Sequence, residues 1–282
     1  MIHVTTVNAL RAELSRARAS KRTIGFVPTM GALHDGHSEL ARASKRLNHF
    51  TVASIFVNTL QFNKQDDLTA YPRTLSTDIA ICDDLGIDVV FSPSHEEIYP
   101  TLFDTFVEPG TIADILEGAS RPGHFRGMAT VVLKLLLMCQ PDEAFFGKKD
   151  YQQLAIVRRM VIDLNVPVVI SGIATVRDSD GLALSSRNAQ LTTDERKTAP
   201  EIFQVLKRIK QQLTLEGNNP KRIIDEARVA LSHLTHFTLE YLELVNQETF
   251  QPPSAKGENL VALCALQASI VRLIDNIEIS QQ

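Results

Sequence analysis

The sequence is short of cysteine, of long apolar runs and of excess charge, and each shortage excludes something. Cysteine occurs three times in 282 residues, at Cys82, Cys139 and Cys264, an odd count with no paired spacing. That pattern argues against a disulfide framework. Each thiol lies in an apolar stretch, the setting of a small buried hydrophobe in a reducing compartment rather than of a catalytic nucleophile. The longest apolar run, Val131–Cys139, has nine residues and is interrupted by Lys134, against the ~20 needed to span a bilayer. No apolar segment followed by a cleavage site opens the chain, so a cytoplasmic location is expected. Lys and Arg number 29 against 33 Asp and Glu, a net charge of −4. That balance argues against non-specific nucleic-acid binding as the main role. The basic bias of the first 49 residues is interspersed with Glu13, Asp35 and Glu39, as on a solvated helix face. There is no internal repeat and no low-complexity tract.

What is present is enough apolar sequence for a large core, over a length that suggests two domains at about 150 residues each. The first two thirds alternate short apolar runs with helical stretches. Thr23–Val27, Val52–Val57, Asp88–Phe91, Glu143–Phe146 and Val166–Ile170 read as strands. Between them Ser38–Leu47, Asp78–Leu85, His124–Cys139 and Tyr151–Leu164 read as helices. Continuous apolar strands alternating with helices predict a doubly wound parallel sheet, a Rossmann-like α/β domain over residues 1–176. Beyond it, helices near Thr193–Leu213 and Pro220–Leu231 precede strand-like runs at Thr238–Val245 and Asn259–Leu266. This predicts a smaller α+β lid domain over residues 177–282, with the turn-rich Arg177–Asn188 as the hinge and Gln251–Lys256 as a loop.

Three loops carry chemistry. The first follows the first of these strands and reads Met30-Gly31-Ala32-Leu33-His34-Asp35-Gly36-His37. Two histidines three apart, separated by a glycine and opening a helix, make a compact anion site. The glycine lets backbone approach a phosphate, the helix N-terminus is partially positive, and both imidazoles can donate to phosphate oxygens. The second loop, Gly147-Lys148-Lys149-Asp150, lies at the carboxyl end of another strand of the same sheet, where phosphate groups bind in such folds. Two lysines in an arbitrary loop would simply face solvent. The third, Leu184-Ser185-Ser186-Arg187, offers two hydroxyls and a guanidinium for clamping a triphosphate, though by itself it reads better as an ordinary helix-capping, turn-rich loop.

His-x-Gly-His resembles the motif of the nucleotidylyltransferase and class I aminoacyl-tRNA synthetase superfamily, enzymes that cleave ATP or CTP between the α- and β-phosphates. A closer resemblance covers Phe26 to Ile277. PTMGALHDGH, SIFVNTLQF, YPRT, RPGHFRG, GKKDYQQL, SSRN and RLIDNI occur in this order, and together they are similar to the pantothenate synthetase (pantoate–β-alanine ligase) family. The resemblance implies a homodimeric, AMP-forming ligase that condenses (R)-pantoate with β-alanine, using ATP and Mg²⁺, through a pantoyl adenylate. It implies that Met30 to His37, Gly147 to Asp150, Val176 and Leu184 to Arg187 hold ATP. His34, His37 and Lys149 would stabilise charge developing at the α-phosphorus. Gln61 and Gln153 would hold pantoate, Gln61 would also face β-alanine, and Asn58 would belong to the same wall. No protein metal ligand is assigned; Asp78 is a candidate magnesium contact or, equally, an exposed helix carboxylate. Thr59, Thr77 and Lys148 depart from the family pattern. The Gln61 and Gln153 segments argue against a different nucleotidylyltransferase, and the intact catalytic motifs with an acidic net charge argue against a non-catalytic nucleotide-sensing or RNA-binding module.

Overall fold

Alternating faces along each strand organise the larger half of the molecule. In the computed structural model, which describes residues 1–47, 50–63, 65–215, 219–255 and 257–280, the chain begins with β1 (Ile2–Val4), α1 (Val7–Ala19), β2 (Ile24–Thr29), α2 (Asp35–Leu47) and β3 (Phe50–Ile55). It continues through α3 (Gln65–Ala70), α4 (Leu75–Asp84), β4 (Val89–Phe91), α5 (His95–Ile98) and α6 (Glu117–Ser120). The unit closes with α7 (His124–Cys139), β5 (Glu143–Gly147), α8 (Tyr151–Asp163) and β6 (Val169–Ile173).

Six parallel strands form one sheet in the order β1-β4-β3-β2-β5-β6. Ile24, Phe26 and Val52 face one side, where they pack with Leu10 and Leu14 of α1, Met128 and Leu136 of α7 and Leu154 of α8. Val27, Ala53 and Val90 face the other, against Leu40 and Ala41 of α2 and Cys82 of α4. Covering both faces is why the strands read as unbroken apolar runs. Each fully buried large side chain, Phe26 or Leu10 for example, contributes roughly 1.5–3 kcal/mol. The sheet is doubly wound as expected. Strand order reverses at β2, so the crevice between the carboxyl ends of β2 and β5 is the topological switch point, the place where such sheets take ligands.

Several elements differ from expectation, each for a local reason. The last strand begins at Val169 rather than Val166, because Pro167 has no N–H for the ladder and pairing starts at Val169 with Glu143. β1 is three residues long, too short to leave a periodic signal. The three cysteines are free and buried. Burial pushes the Cys82 thiol up to about 12, with the Asp78 charge adding to it, and pushes Cys139 up as well. None is a poised nucleophile.

By contact the chain divides into two units, Met1–Lys148 with Gln152–Ala174, and Lys149–Tyr151 with Thr175–Gln282. In the second, α9 (Thr193–Thr198), α10 (Pro200–Leu213) and α11 (Pro220–Ser232) precede β7 (Thr238–Asn246), β8 (Leu260–Gln267) and β9 (Arg272–Ile279). The single helix expected over Thr193–Leu213 is interrupted at Pro200, whose ring nitrogen carries no hydrogen to continue the ladder. A capping box between Thr192 and Glu195 starts α9. β7-β8-β9 is an antiparallel sheet. Leu260, Ala262, Cys264 and Leu266 of its central strand pack on Ile202, Leu206 and Ile209 of α10 and Ile223 and Leu231 of α11. β9 carries the RLIDNI motif, whose pattern does not read as a strand. The loop expected at Gln251–Lys256 ends on a residue, Lys256, outside the described ones.

Candidate active site

The first chemical loop leaves β2 at the switch point and turns sharply. Gly31 has φ +83° and Ala32 φ +50°, so two consecutive residues are left-handed. Glycine takes that conformation without cost, whereas alanine gives up roughly 1–2 kcal/mol. The strain is held by Asp78 from α4, whose carboxylate accepts the Ala32 amide at 3.0 Å and the Leu33 amide at 2.8 Å. Thr74 Oγ1 donates to the same group at 3.1 Å. Asp78 is 1% exposed. It is therefore not a solvated helix carboxylate: three donors converge on its oxygens and shape the turn.

The two histidines that follow are locked by backbone. The Gly36 amide donates to His34 Nδ1 at 3.1 Å, and the His34 amide donates to His37 Nδ1 at 3.3 Å. A ring nitrogen that accepts carries no hydrogen, so both imidazoles hold theirs on Nε2. The rings lie 4.1 Å apart at 42°. A Cβ at Gly36 would fall 2.8 Å from the His34 ring, which is why a glycine separates them. His37 sits in the first turn of α2, at the partially positive end of the helix.

Asn58 and Gln61, one on each side of a short turn after β3, are 1% and 7% exposed rather than surface polar groups. Thr59, where the family carries proline, begins a 3-10 turn without it. Gln61 Nε2 lies 3.2 Å from Met30 Sδ, so the Gln61 segment meets the loop after β2. The backbone on which Gln61 rides is held by α7. His124 Nδ1 donates to the Gln61 carbonyl at 2.8 Å, and a Cβ at Gly127 would fall 2.2 Å from the Leu60 carbonyl. RPGHFRG thus earns its place through His124 and Gly127, residues to which no role had been given. Its glycine and histidine were the available signal. Of the two neighbouring glutamines on α8, Gln152 is spent on the backbone of Ile112, Ile115 and Glu117. Gln153 is half-buried and makes no such backbone bonds.

Gly147 and Lys148 stand at the end of β5, beside the loop after β2. No part of the chain demands glycine at 147, since a Cβ there meets nothing within 4 Å. Lys149 and Asp150 group with the second unit, where Lys149 Nζ is 3.7 Å from Asp150 and Asn276 Nδ2 donates to the Lys149 carbonyl at 2.9 Å. In the same unit the predicted nucleotide residues Val176 and Leu184 meet, the Leu184 amide donating to the Val176 carbonyl at 3.0 Å. Arg177 pins this turn through a bidentate pair with Asp275 at 2.6 and 2.8 Å and lies 3.4 Å over the Phe203 ring. Ser185 Oγ accepts the Arg187 amide at 3.3 Å, giving the following short helix its cap.

A parallel sheet carrying His-x-Gly-His at its switch point defines a nucleotide-binding α/β enzyme of the nucleotidylyltransferase type. The comparisons narrow this. The family model described as pantoate-beta-alanine ligase matches residues 2–278. Pantothenate synthetase 1 of Bradyrhizobium diazoefficiens is 46% identical over 278 residues, 98% of each chain. The crystal structure of pantothenate synthetase from Thermus thermophilus is similar with a TM-score of 0.92 at 44% identity, covering 98% of this chain and 99% of that one. The Francisella tularensis pantoate-beta-alanine ligase, complexed with beta-gamma ATP and beta-alanine, has a TM-score of 0.79 at 36% identity, over 98% and 97% of the chains. The chain belongs to the pantoate–β-alanine ligase family.

Proposed function

We propose that this enzyme, an ATP-dependent ligase joining pantoate to β-alanine, works through a pantoyl adenylate held by the residues described above. The observation that carries the mechanism is the pair of backbone-locked imidazoles at the switch point, each with Nδ1 accepting an amide and its N–H on Nε2. Pantoate's carboxylate attacks the α-phosphorus of ATP, the bond to the β-phosphate oxygen breaks, and pyrophosphate leaves. Charge spreads over phosphoryl oxygens as this happens. His34 and His37 meet it with rings already oriented by their own loop, so less reorganisation remains for the transition state, and Lys149 is assigned to the same charge through the family resemblance. The β-alanine amine then attacks the acyl carbon, AMP departs with the bonding pair, and the amine's proton is lost to solvent. No enzyme nucleophile is required, in keeping with three buried thiols.

Met30 to His37, Gly147, Lys148 and Asp150 are assigned to ATP along with Val176 and Leu184 to Arg187. Gln61 and Gln153 are assigned to pantoate, with Gln61 also facing β-alanine and Asn58 in the same wall. Magnesium enters as the ATP complex. Triphosphate oxygens and water are the hard ligands the ion prefers. The reading carries a cytoplasmic homodimer, as the family resemblance implies; among the described residues no helix is long and apolar enough to cross a membrane.

Two results test it. Pantoate without β-alanine should support exchange of labelled pyrophosphate into ATP, and oxygen label from pantoate's carboxylate should appear in AMP after full turnover. Label wholly absent from AMP overturns the adenylate. Asp78→Asn keeps the shape but loses one of the two acceptors that hold the Gly31–Leu33 turn. It should raise KM for ATP about tenfold, the cost of one unsatisfied buried amide. An unchanged KM in the exchange assay would separate the turn from ATP binding.

A further inference from the structure

The polar cluster around Gln61 has a direction, set by which atoms are able to donate. The Gly127 carbonyl only accepts, so the Asn58 atom 3.1 Å from it is the amide nitrogen, Nδ2. Its second hydrogen goes to Gln61 Oε1 at 2.9 Å. On the other side Asn58 Oδ1 accepts the Tyr99 hydroxyl at 2.7 Å. Turning the Asn58 amide over would set its oxygen against the Gly127 carbonyl, which has no hydrogen to give. With Oε1 facing Asn58, Gln61 turns Nε2 toward Met30 Sδ, a weak acceptor 3.2 Å away. Tyr99, Asn58 and Gln61 are all under a tenth exposed, so water does not compete and a misdirected bond costs its full desolvation penalty. The Tyr99 ring is fixed against His95 at 5.2 Å and Phe103 at 4.8 Å. Burial pushes its phenol well above the ordinary range, so it remains a donor.

We propose that Tyr99 is a positioning residue for the ligation: its hydroxyl, acting through Asn58, orients the Gln61 amide so that its N–H₂ meets an acceptor oxygen of pantoate. This rests on the assignment of Gln61 to pantoate. It also sharpens that assignment, because the amide is presented by its donor edge rather than offered in either sense.

The test is a double-mutant cycle read in the pyrophosphate-exchange assay, with melting temperature measured for every variant. Tyr99→Phe keeps the ring and removes only the hydroxyl. It should raise KM for pantoate about tenfold while KM for ATP stays within about twofold. In a Gln61→Ala background the same substitution should add almost nothing, because the group it acts through is gone. Gln61→Glu, which puts an oxygen where the N–H₂ was, should weaken pantoate at least as much as Gln61→Ala. Asn58→Asp keeps the acceptor for Tyr99 and loses the donor to Gln61, and should reproduce the pantoate-selective effect; it decides the matter should Tyr99→Phe fold poorly. If Gln61→Ala weakens pantoate but Tyr99→Phe and Asn58→Asp do not, the relay is wrong. If Tyr99→Phe costs the same in both backgrounds, or falls equally on ATP, Tyr99 is packing only. If Gln61→Ala leaves pantoate KM unchanged, the underlying assignment fails and the relay with it.

Discussion

His37→Ala lowers the rate of adenylate formation by about 10² to 10³, measured as pyrophosphate exchange and as single-turnover AMP release. The size follows from losing one prealigned donor to a transition-state oxyanion. Two features make the loss specific. The His37 ring takes its orientation from the His34 amide at 3.3 Å, so its donor nitrogen is aimed before ATP arrives. Removing it also strips the His34 amide of that acceptor, loosening the partner imidazole 4.1 Å away. The fold survives, because His37 is half-buried at a helix start and outside the apolar clusters. A melting temperature near that of the parent with exchange down by those two or three decades is the expected pair of results. Near-normal exchange would remove His37 from the chemistry, and an unfolded variant would make it a structural residue.

How much of this was legible beforehand varied with distance along the chain. The parallel sheet could be read because its inner strands β2, β3 and β4 are buried on both faces and so announce themselves as apolar runs. The His-x-Gly-His loop could be read because its chemistry and its geometry come from the same eight consecutive residues, Met30 to His37. What stayed hidden depends on partners far off in sequence. Asp78 holds amides more than forty residues upstream (Ala32 and Leu33), and on its own helix it looks like any acid in a first turn. Tyr99 reads as core and is core, apart from a single oxygen bonded to Asn58. β9 shows itself in the sequence as a motif but not as a strand, since its alternation is broken by Asp275 and Asn276, which are buried by their bonds to Arg177 and the Lys149 carbonyl. Proline sets where elements begin, with β6 pairing only after Pro167 and α10 starting at Pro200, a signal the sequence carries in single residues.

Lys149→Ala costs about 10² or more in kcat, while its neighbour's replacement, Lys148→Gln, changes kcat/KM for ATP by less than about tenfold. Two adjacent lysines compete for one phosphate contact, and three observations favour the second. The Lys149-Asp150-Tyr151 continuation matches the family's motif, whereas Lys148 stands where the family tolerates an acid or glutamine, so positive charge there is dispensable to the chemistry. Lys149 is fixed at both ends: its carbonyl accepts from Asn276 at 2.9 Å, and its ammonium lies 3.7 Å from Asp150. Lys148 groups with the other unit, and its Cγ lies near Gly172, where an added Cβ would approach to 3.4 Å. Its stem thus packs on the sheet edge. A charge off the reacting phosphate attracts ATP only through a screened field, so the small effect of Lys148→Gln should shrink further as salt rises. The Lys149 contact acts on the transition state at close range and should be nearly indifferent to salt. Both variants belong in one steady-state assay at two ionic strengths. If Lys148→Gln is the more damaging, or if the Lys149→Ala deficit fades in salt, the phosphate contact belongs to the other lysine.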